Sequence, residues 1–328
     1  MKPLKFEPIL RTMVWGGNRL GTYKGLTEKI DHIGESWELS AFPDRMSVVA
    51  EGPLKGRDLE SVVKEYRGKL VGRRVYRENH NEFPLLFKFI DAERDLSIQV
   101  HPNDEMARRL HGTHGKTEMW YVIDAEPGAF LYSGLSKAIS PEEYTARIAD
   151  GSITEVLARY EVQPGDVFFL PAGRIHAIGA GCLVAEIQQT SDLTYRIFDY
   201  NRLGLDGKPR QLHTELARKA IDYRVQADYQ THYSPSRDTE VELVRCPYFT
   251  TTLLDLTRPF RKDLSGLDSF LAVMCLAGSG SIQADADSVP VRQGETLLIP
   301  ASTIAAGFLP DTGGMKVLTC CVESVSGL

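Results

Sequence analysis

The stretch Leu96-Ser97-Ile98-Gln99-Val100-His101, stopped by Pro102, most limits what this chain can become. Side chains alternate faces along a strand. Ile98 and Val100 therefore predict one apolar face, and Gln99 and His101 predict a polar one. Two side chains with nitrogen or oxygen donors, two residues apart on one strand face, suit a metal ion. A second predicted strand, Lys116-Thr117-Glu118-Met119-Trp120-Tyr121-Val122, puts Lys116 and Glu118 on one face in the same way. A third piece runs from Gly165 through Val167, Phe168, Phe169 and Leu170 to Pro171, then turns to deliver His176. A lone strand histidine seldom holds a metal. Three such pieces converging in a closed β-structure predict a metal site of the N/O type from Gln99, His101, Glu118 and His176.

With 328 residues the chain is longer than a typical domain of ~100–150, so two domains are expected. Its formal charge of -6 lends no support to nucleic-acid binding, which favours a basic stripe. The five cysteines include no CxxC and only the adjacent Cys320-Cys321, which fits a reducing compartment rather than a disulfide framework. Met1 to Pro8 lacks the apolar core of a signal peptide, and no run approaches the ~20 apolar residues that span a bilayer. These features predict a cytoplasmic protein with no membrane and no nucleic-acid partner.

Along the chain, Gly34 to Ser40 alternates like a strand. Leu59, Val62, Val63, Tyr66 and Leu70 then change period and mark one face of a helix over 57–71. Phe83 to Ile90 is a buried strand carrying one charge, Lys88, which must be paired or face a cavity. Asn103 or Asp104 caps a short helix closed by Gly112, and Ser140-Pro141-Glu142-Glu143 opens another to about Asp150. Ser152 to Glu155 repeats that signal, giving helical insertions near 57–71, 104–111 and 140–160. Strands resume at 166–170, 182–189 and 194–198, and a further helix is expected from Thr214 to Asp222. The predicted division is a catalytic unit over 1–225, a polar linker over 226–239 and an all-β unit over 240–328.

The last unit contains a weak repeat of the first. Gly165 to Ala177 and Gly294 to Ala306 share a glycine, an apolar strand and a proline, Pro171 or Pro300. Ala305 stands where the first copy has His176, and Ser269 to Cys275 offers no counterpart of Glu118. The predicted fold class is mainly β: two jelly-roll units with small helical insertions, only the first binding metal.

These residues carry a family resemblance. Gly165, Pro171, Gly173 and His176 resemble the second motif of the cupin superfamily, and Gln99, His101 and Glu118 resemble its first. Ser97 to Asp104, Gly115 to Tyr121, and Glu186 to Asp192 followed by Tyr195-Arg196 resemble type I mannose-6-phosphate isomerases of the short bacterial form. The resemblance is dense from Trp15 to His213 and looser beyond. It implies reversible conversion of mannose 6-phosphate to fructose 6-phosphate through a cis-enediol, with one zinc ion per chain on Gln99, His101, Glu118 and His176.

It also implies catalytic roles for Arg196 and Glu186. A guanidinium is a poor base, so Arg196 is assigned charge stabilisation and orientation. Lys116, on the Glu118 face, is assigned acid-base work, with cationic neighbours lowering its pKa. Glu186 either acts at the site or pairs with Lys116. Arg202 falls near a phosphate-contacting cation of longer relatives. Lys88 is a second phosphate candidate, and Ser40 and Ser47 are candidate hydroxyl donors to it. The implied partner is a small sugar phosphate, with the chain as monomer or homodimer.

Two rivals share the fold. An iron-dependent dioxygenase would accept the same ligands, but the cations Lys88, Lys116, Arg196 and Arg202 suit an anionic sugar better than dioxygen. A sugar-binding regulatory cupin would have no need of a metal with an open position.

Overall fold

The computed structural model describes residues 1–28, 30–79 and 81–323. It is mainly β, built from antiparallel sheets with short helices packed against them. A five-stranded sheet runs in the order Leu157–Glu161, Phe130–Leu135, His176–Ile178, Ile98–Val100, Tyr195–Phe198. A six-stranded sheet runs Val167–Leu170, Glu118–Ala125, Cys182–Gln189, Leu85–Ala92, Ile9–Gly17, Ile33–Leu39.

Alternation decides what each sheet buries. Ile90, Trp120, Val122, Phe168 and Val184 of the larger sheet meet Leu131 and Ile178 of the smaller one, filling the space between them. Lys88, Glu118 and Glu186 alternate in step with those residues and so face the same interior. The opposite face of the smaller sheet, with Ile98, Val100, Tyr195 and Ile197, is covered by Met106, Tyr144 and Ala217 from three helices. The opposite face of the larger sheet, with Phe87, Phe89, Met119 and Ile187, packs on Ala272, Met274, Leu298 and Leu318 of the C-terminal half. Phe83 and Phe270 stack across this junction with ring centroids 4.6 Å apart.

The C-terminal half forms an eight-stranded sheet that folds round its own core of Leu254, Val273, Ile282, Leu297, Phe308 and Val317. Its outermost strand is Leu4–Lys5, paired with Thr296–Ile299, so the first residues of the chain belong to the last sheet. The stretch 226–239 is tied down as well. Tyr229 is buried, and its hydroxyl donates to the Leu135 carbonyl at 3.0 Å.

The internal repeat holds in register. Gly165 and Gly294 both adopt left-handed backbone, which glycine reaches without strain. Leu170 pairs with Glu118 in the first unit, and Ile299 pairs with Leu271 in the second. Leu271 thus holds the place of Glu118, and Ala305, opening the strand Ala305–Cys321, holds that of His176.

The helices follow their predicted caps. Asn103 Oδ1 accepts the Met106 amide at 2.9 Å over helix Asp104–His111, and Gly112 closes it in left-handed geometry. Ser140 Oγ accepts the Glu143 amide at 3.1 Å over Pro141–Asp150. The expected helix over 57–71 is broken at Arg67, with φ 49°, into Leu59–Tyr66 and Gly68–Val71. The 152–155 signal makes only the 3-10 turn Ile153–Val156. Helix Arg73–Asn79 was not expected, and its cap is remote: Asp268 accepts the amides of Arg73 and Arg74 at 2.6 and 3.0 Å.

Candidate active site

Both sheets contribute to the site. Gln99 and His101 come from the edge of strand Ile98–Val100 and His176 opens the next strand, all in the smaller sheet. Glu118 opens its strand in the larger sheet. One donor atom from each of His101, Glu118 and His176 lies within 4.8 Å of the others, and all three residues are buried. His101 Nδ1 donates to the Leu193 carbonyl at 2.7 Å, and His176 Nδ1 donates to the Arg174 carbonyl at 2.8 Å. Both imidazoles therefore turn Nε2 toward Glu118, at 3.5 and 3.2 Å from its oxygens. Backbone carbonyls that fix the remote ring nitrogen are what metal-binding histidines require.

Buried polar atoms normally find hydrogen-bond partners. His101 Nε2 and Glu118 Oε1 have none. Burial pushes the His176 imidazole down to about 3, and burial followed by the Lys116 charge pushes His101 well below its ordinary value. Both rings are neutral near neutral pH, which is the form that binds a metal. The Gln99 amide lies 3.3 Å from His176 Nε2, and turning it over presents Oε1 at the same place. These residues fit a metal ion.

The cations are arranged around this cluster. Lys116 is buried with Nζ 2.9 Å from Glu118 Oε2. In the protein alone its pKa is raised: burial lowers it, but Glu118 and Glu186 outweigh burial. This corrects the expected downward shift, because the sequence shows neighbouring cations but not that two carboxylates face the amine. Glu186 does not pair directly with Lys116 as one reading had it. Its Oε1 accepts from Lys88 Nζ and its Oε2 from Trp120 Nε1, both at 2.8 Å. The cause is register, since Glu186 stands opposite Lys88 on one side and Trp120 on the other. Burial raises the Glu186 pKa, but the Lys88 and Lys116 charges win and keep it ionised. Trp120 in turn meets the His176 ring edge-on, with centroids 5.2 Å apart.

Arg196 stands opposite Gln99, and Gln99 opposite His176, so all three share the interior face of the smaller sheet. Its Nε is buried without a partner, while one terminal nitrogen donates to the Gln211 carbonyl at 3.1 Å. Burial, and then the nearby Arg210 guanidinium, pull its pKa below the ordinary arginine value. Arg202 is bound to Asp199 at 2.8 Å. Ser40 and Ser47 are buried but turned to their own loop: Ser47 Oγ accepts the Ser40 amide at 2.9 Å, and Ser40 Oγ accepts the Phe42 amide at 3.3 Å. Neither hydroxyl is hydrogen-bonded to a metal-ligand candidate or to a cation of the site among the described residues.

Three residues beside the site had escaped the sequence reading as site residues. Trp37 lies 5.2 Å from Lys88 Nζ and donates from Nε1 to Glu35 at 2.6 Å. Asp199 and Arg210 were missed too, although the Asp206-Gly207 turn signal between Arg202 and Arg210 could have paired those two arginines across a hairpin. A cavity of about 1010 Å³ lies on the other face of the larger sheet against Tyr23, Tyr121, Tyr233 and Leu253, and none of the ligands lines it.

Residues 4–127 match the catalytic domain of phosphomannose isomerase type I, and residues 239–306 match the cupin domain of mannose-6-phosphate isomerase. Mannose-6-phosphate isomerase ManA of Bacillus subtilis (strain 168) is 36% identical over 305 residues, covering 91% of this chain and 93% of that protein. The chain belongs to the type I mannose-6-phosphate isomerase family. A mannose-6-phosphate isomerase of Streptococcus mutans is 35% identical over 91% of this chain and 92% of its own length. The crystal structure of the Bacillus subtilis mannose 6-phosphate isomerase superposes with a TM-score of 0.87 at 32% identity, covering 98% of this chain and 99% of that one. Phosphomannose isomerase of Salmonella typhimurium, at 16% identity and TM-score 0.77, shares the fold. No helix among the described residues of this family member is long and apolar enough to cross a membrane.

Proposed function

We propose that the protein interconverts D-mannose 6-phosphate and D-fructose 6-phosphate through a cis-enediol, using one zinc ion. The observation that carries this is the ligand cluster itself: buried, unpartnered His101 and Glu118 atoms with Lys116 and Arg196 brought to the same interior. His101, Glu118 and His176 would hold the ion, with Gln99 as a fourth donor. When bound, it would supply positive charge for the oxygens of C1 and C2 as the enediolate forms.

The chain's own groups do the remainder. Arg196 keeps its charge at any working pH and so orients and stabilises the developing negative charge. Lys116, with Nζ 2.9 Å from Glu118 Oε2, is the chain's own group placed to exchange a proton beside the ligand cluster. Glu186 has both oxygens occupied, so it acts as fixed negative charge between Lys88 and Lys116 and anchors Trp120 against His176. Lys88 gives one hydrogen bond to Glu186, Arg202 is bound to Asp199, and the Ser40 hydroxyl accepts within its own turn with its proton still free to donate, so all three stay as phosphate candidates. The division into a catalytic unit to about residue 225, a connecting stretch over 226–239 and a second unit from 240 belongs to the same proposal, with Leu4–Lys5 crossing into the second.

The test is a coupled assay for fructose 6-phosphate with and without a chelator, on mannose 6-phosphate and on mannose. Turnover of the phosphorylated sugar, lost on chelation and restored by zinc, is the expected result. Equal turnover of both sugars, or turnover indifferent to chelation, would overturn it.

A further inference from the structure

The chain leaves the strand Tyr195–Phe198 through an unusual turn. Tyr200 and Asn201 are both left-handed, with φ of 55° and 53°, a conformation that costs non-glycine residues energy. The turn returns the Arg202 amide to the Asp199 carbonyl at 3.1 Å. A hairpin follows, with Leu203 bridged to Pro209 and left-handed Gly207 at its tip, and it brings Arg210 back beside Arg202.

Both guanidiniums close on one carboxylate. Asp199, 5% exposed, accepts Nε and one terminal nitrogen of Arg202 at 2.9 and 2.8 Å, and Nε of Arg210 at 2.7 Å, with a terminal nitrogen of Arg210 on its other oxygen. The remaining terminal nitrogen of each arginine has no hydrogen-bond partner among the described residues. Arg196 lies close enough for Arg210 and Arg202 to depress its pKa. Arg202 and Arg210 thus share one carboxylate with Arg196 close by, so three guanidiniums stand against one bonded carboxylate beside the strand that carries Arg196. A single arginine would suffice to pin the loop to Asp199. A second one, reached through a strained turn, fits a phosphate monoester, which carries close to two negative charges near neutral pH and binds guanidinium forks in pairs of charge-assisted bonds.

We propose that Arg210 joins Arg202 in a two-guanidinium clamp for the substrate phosphate, with Asp199 as the positioning residue that holds both forks in place. The inference rests on the sugar-phosphate reading above and adds Arg210 and Asp199 to it. Asp199 takes Nε and one terminal nitrogen of each arginine, which leaves one terminal nitrogen of each without a bond among the described residues. Binding energy gathered there helps orient C1 and C2 at the metal-ligand cluster.

The experiment compares metal-replete wild type with Arg210→Met, Arg210→Lys and Asp199→Asn. It measures steady-state kinetics on mannose 6-phosphate, competitive inhibition by inorganic phosphate, and thermal melting. Arg210→Met is expected to raise KM and the inorganic-phosphate inhibition constant together, each by about tenfold or more, with a smaller loss in kcat. Arg210→Lys should fall between, because one ammonium cannot bond Asp199 and phosphate as a fork does. Asp199→Asn should raise both constants although every arginine is present. A lowered melting temperature with both constants unchanged would overturn the clamp and leave a structural ion pair. If Arg210→Met does not fold, unchanged constants in Arg210→Lys and Asp199→Asn overturn it alone. If the wild type does not turn over mannose 6-phosphate, the functional reading fails by itself. Calorimetric titration with inorganic phosphate then decides the clamp: equal binding by wild type and Arg210→Lys overturns it, and weakened binding supports it.

Discussion

Arg196 stands directly opposite Gln99 across an antiparallel strand pair, so the guanidinium shares a sheet face with the ligand cluster without being one of its donors. Arg196→Ala should therefore lower kcat by about two to three orders of magnitude while metal content stays at the wild-type level. Elemental analysis alongside the coupled assay checks both halves. An undiminished rate would remove the arginine from the chemistry.

His176→Ala and Glu118→Gln should each lose the bound ion together with nearly all activity, since each removes one of three converging donors. Gln99→Ala should be milder, because a neutral amide is the weakest of the four. The readout besides activity is melting temperature. Added zinc should raise it for wild type and leave it unmoved for the first two variants. Wild-type metal affinity in His176→Ala would contradict the assigned site.

Glu186→Gln leaves the buried Lys88 ammonium without its carboxylate partner. Breaking one side of a buried ion pair costs about 3–5 kcal/mol. Urea unfolding of metal-free protein should show a loss of that order, and Lys88→Met combined with Glu186→Gln should recover part of it. A fully stable single variant would mean that Lys88 finds another acceptor.

Phe270 is fully buried and stacks on Phe83 between the larger sheet and the C-terminal half. Phe270→Ala should cost about 3–5 kcal/mol in chemical denaturation. A loss confined to the C-terminal half, seen as a separate early transition, would show that the two halves unfold independently.

All five cysteines are free and buried, and burial pushes Cys182, Cys275 and Cys321 up to about 12. The thiolate, which is the reactive form, is scarce below that pH. A thiol reagent at pH 8 should label the native protein slowly and all five positions after denaturation. Rapid native labelling would show that one of these sites opens.

Much of this was legible because strand alternation is a local signal. The shared faces of Gln99 and His101, and of Lys116 and Glu118, followed from parity, the inward Lys88 from the cost of burying an unpaired charge, and the caps Asn103 and Ser140 from local capping signals. The repeat could be read because glycine and proline mark its turns, and the absence of a ligand at Leu271 and Ala305 was visible in the letters. What escaped was set by contacts between distant segments. The partner of Glu186 depends on its register against Leu85–Ala92, and the cap of Arg73–Asn79 comes from Asp268. Arg210 looked like any exposed loop charge until the hairpin laid it on Asp199.

The pairing of Leu4–Lys5 with Thr296–Ile299 has a consequence for the growing polypeptide. Synthesis proceeds from the N-terminus, and domains generally fold as units as they emerge. The edge of Leu4–Lys5 that meets Thr296–Ile299 must wait for its partner while roughly 290 further residues are made. Hydrogen bonds that close this outer edge of the last sheet thus form only after both distant segments have been made, and until then the Thr296–Ile299 side of Leu4–Lys5 stays open.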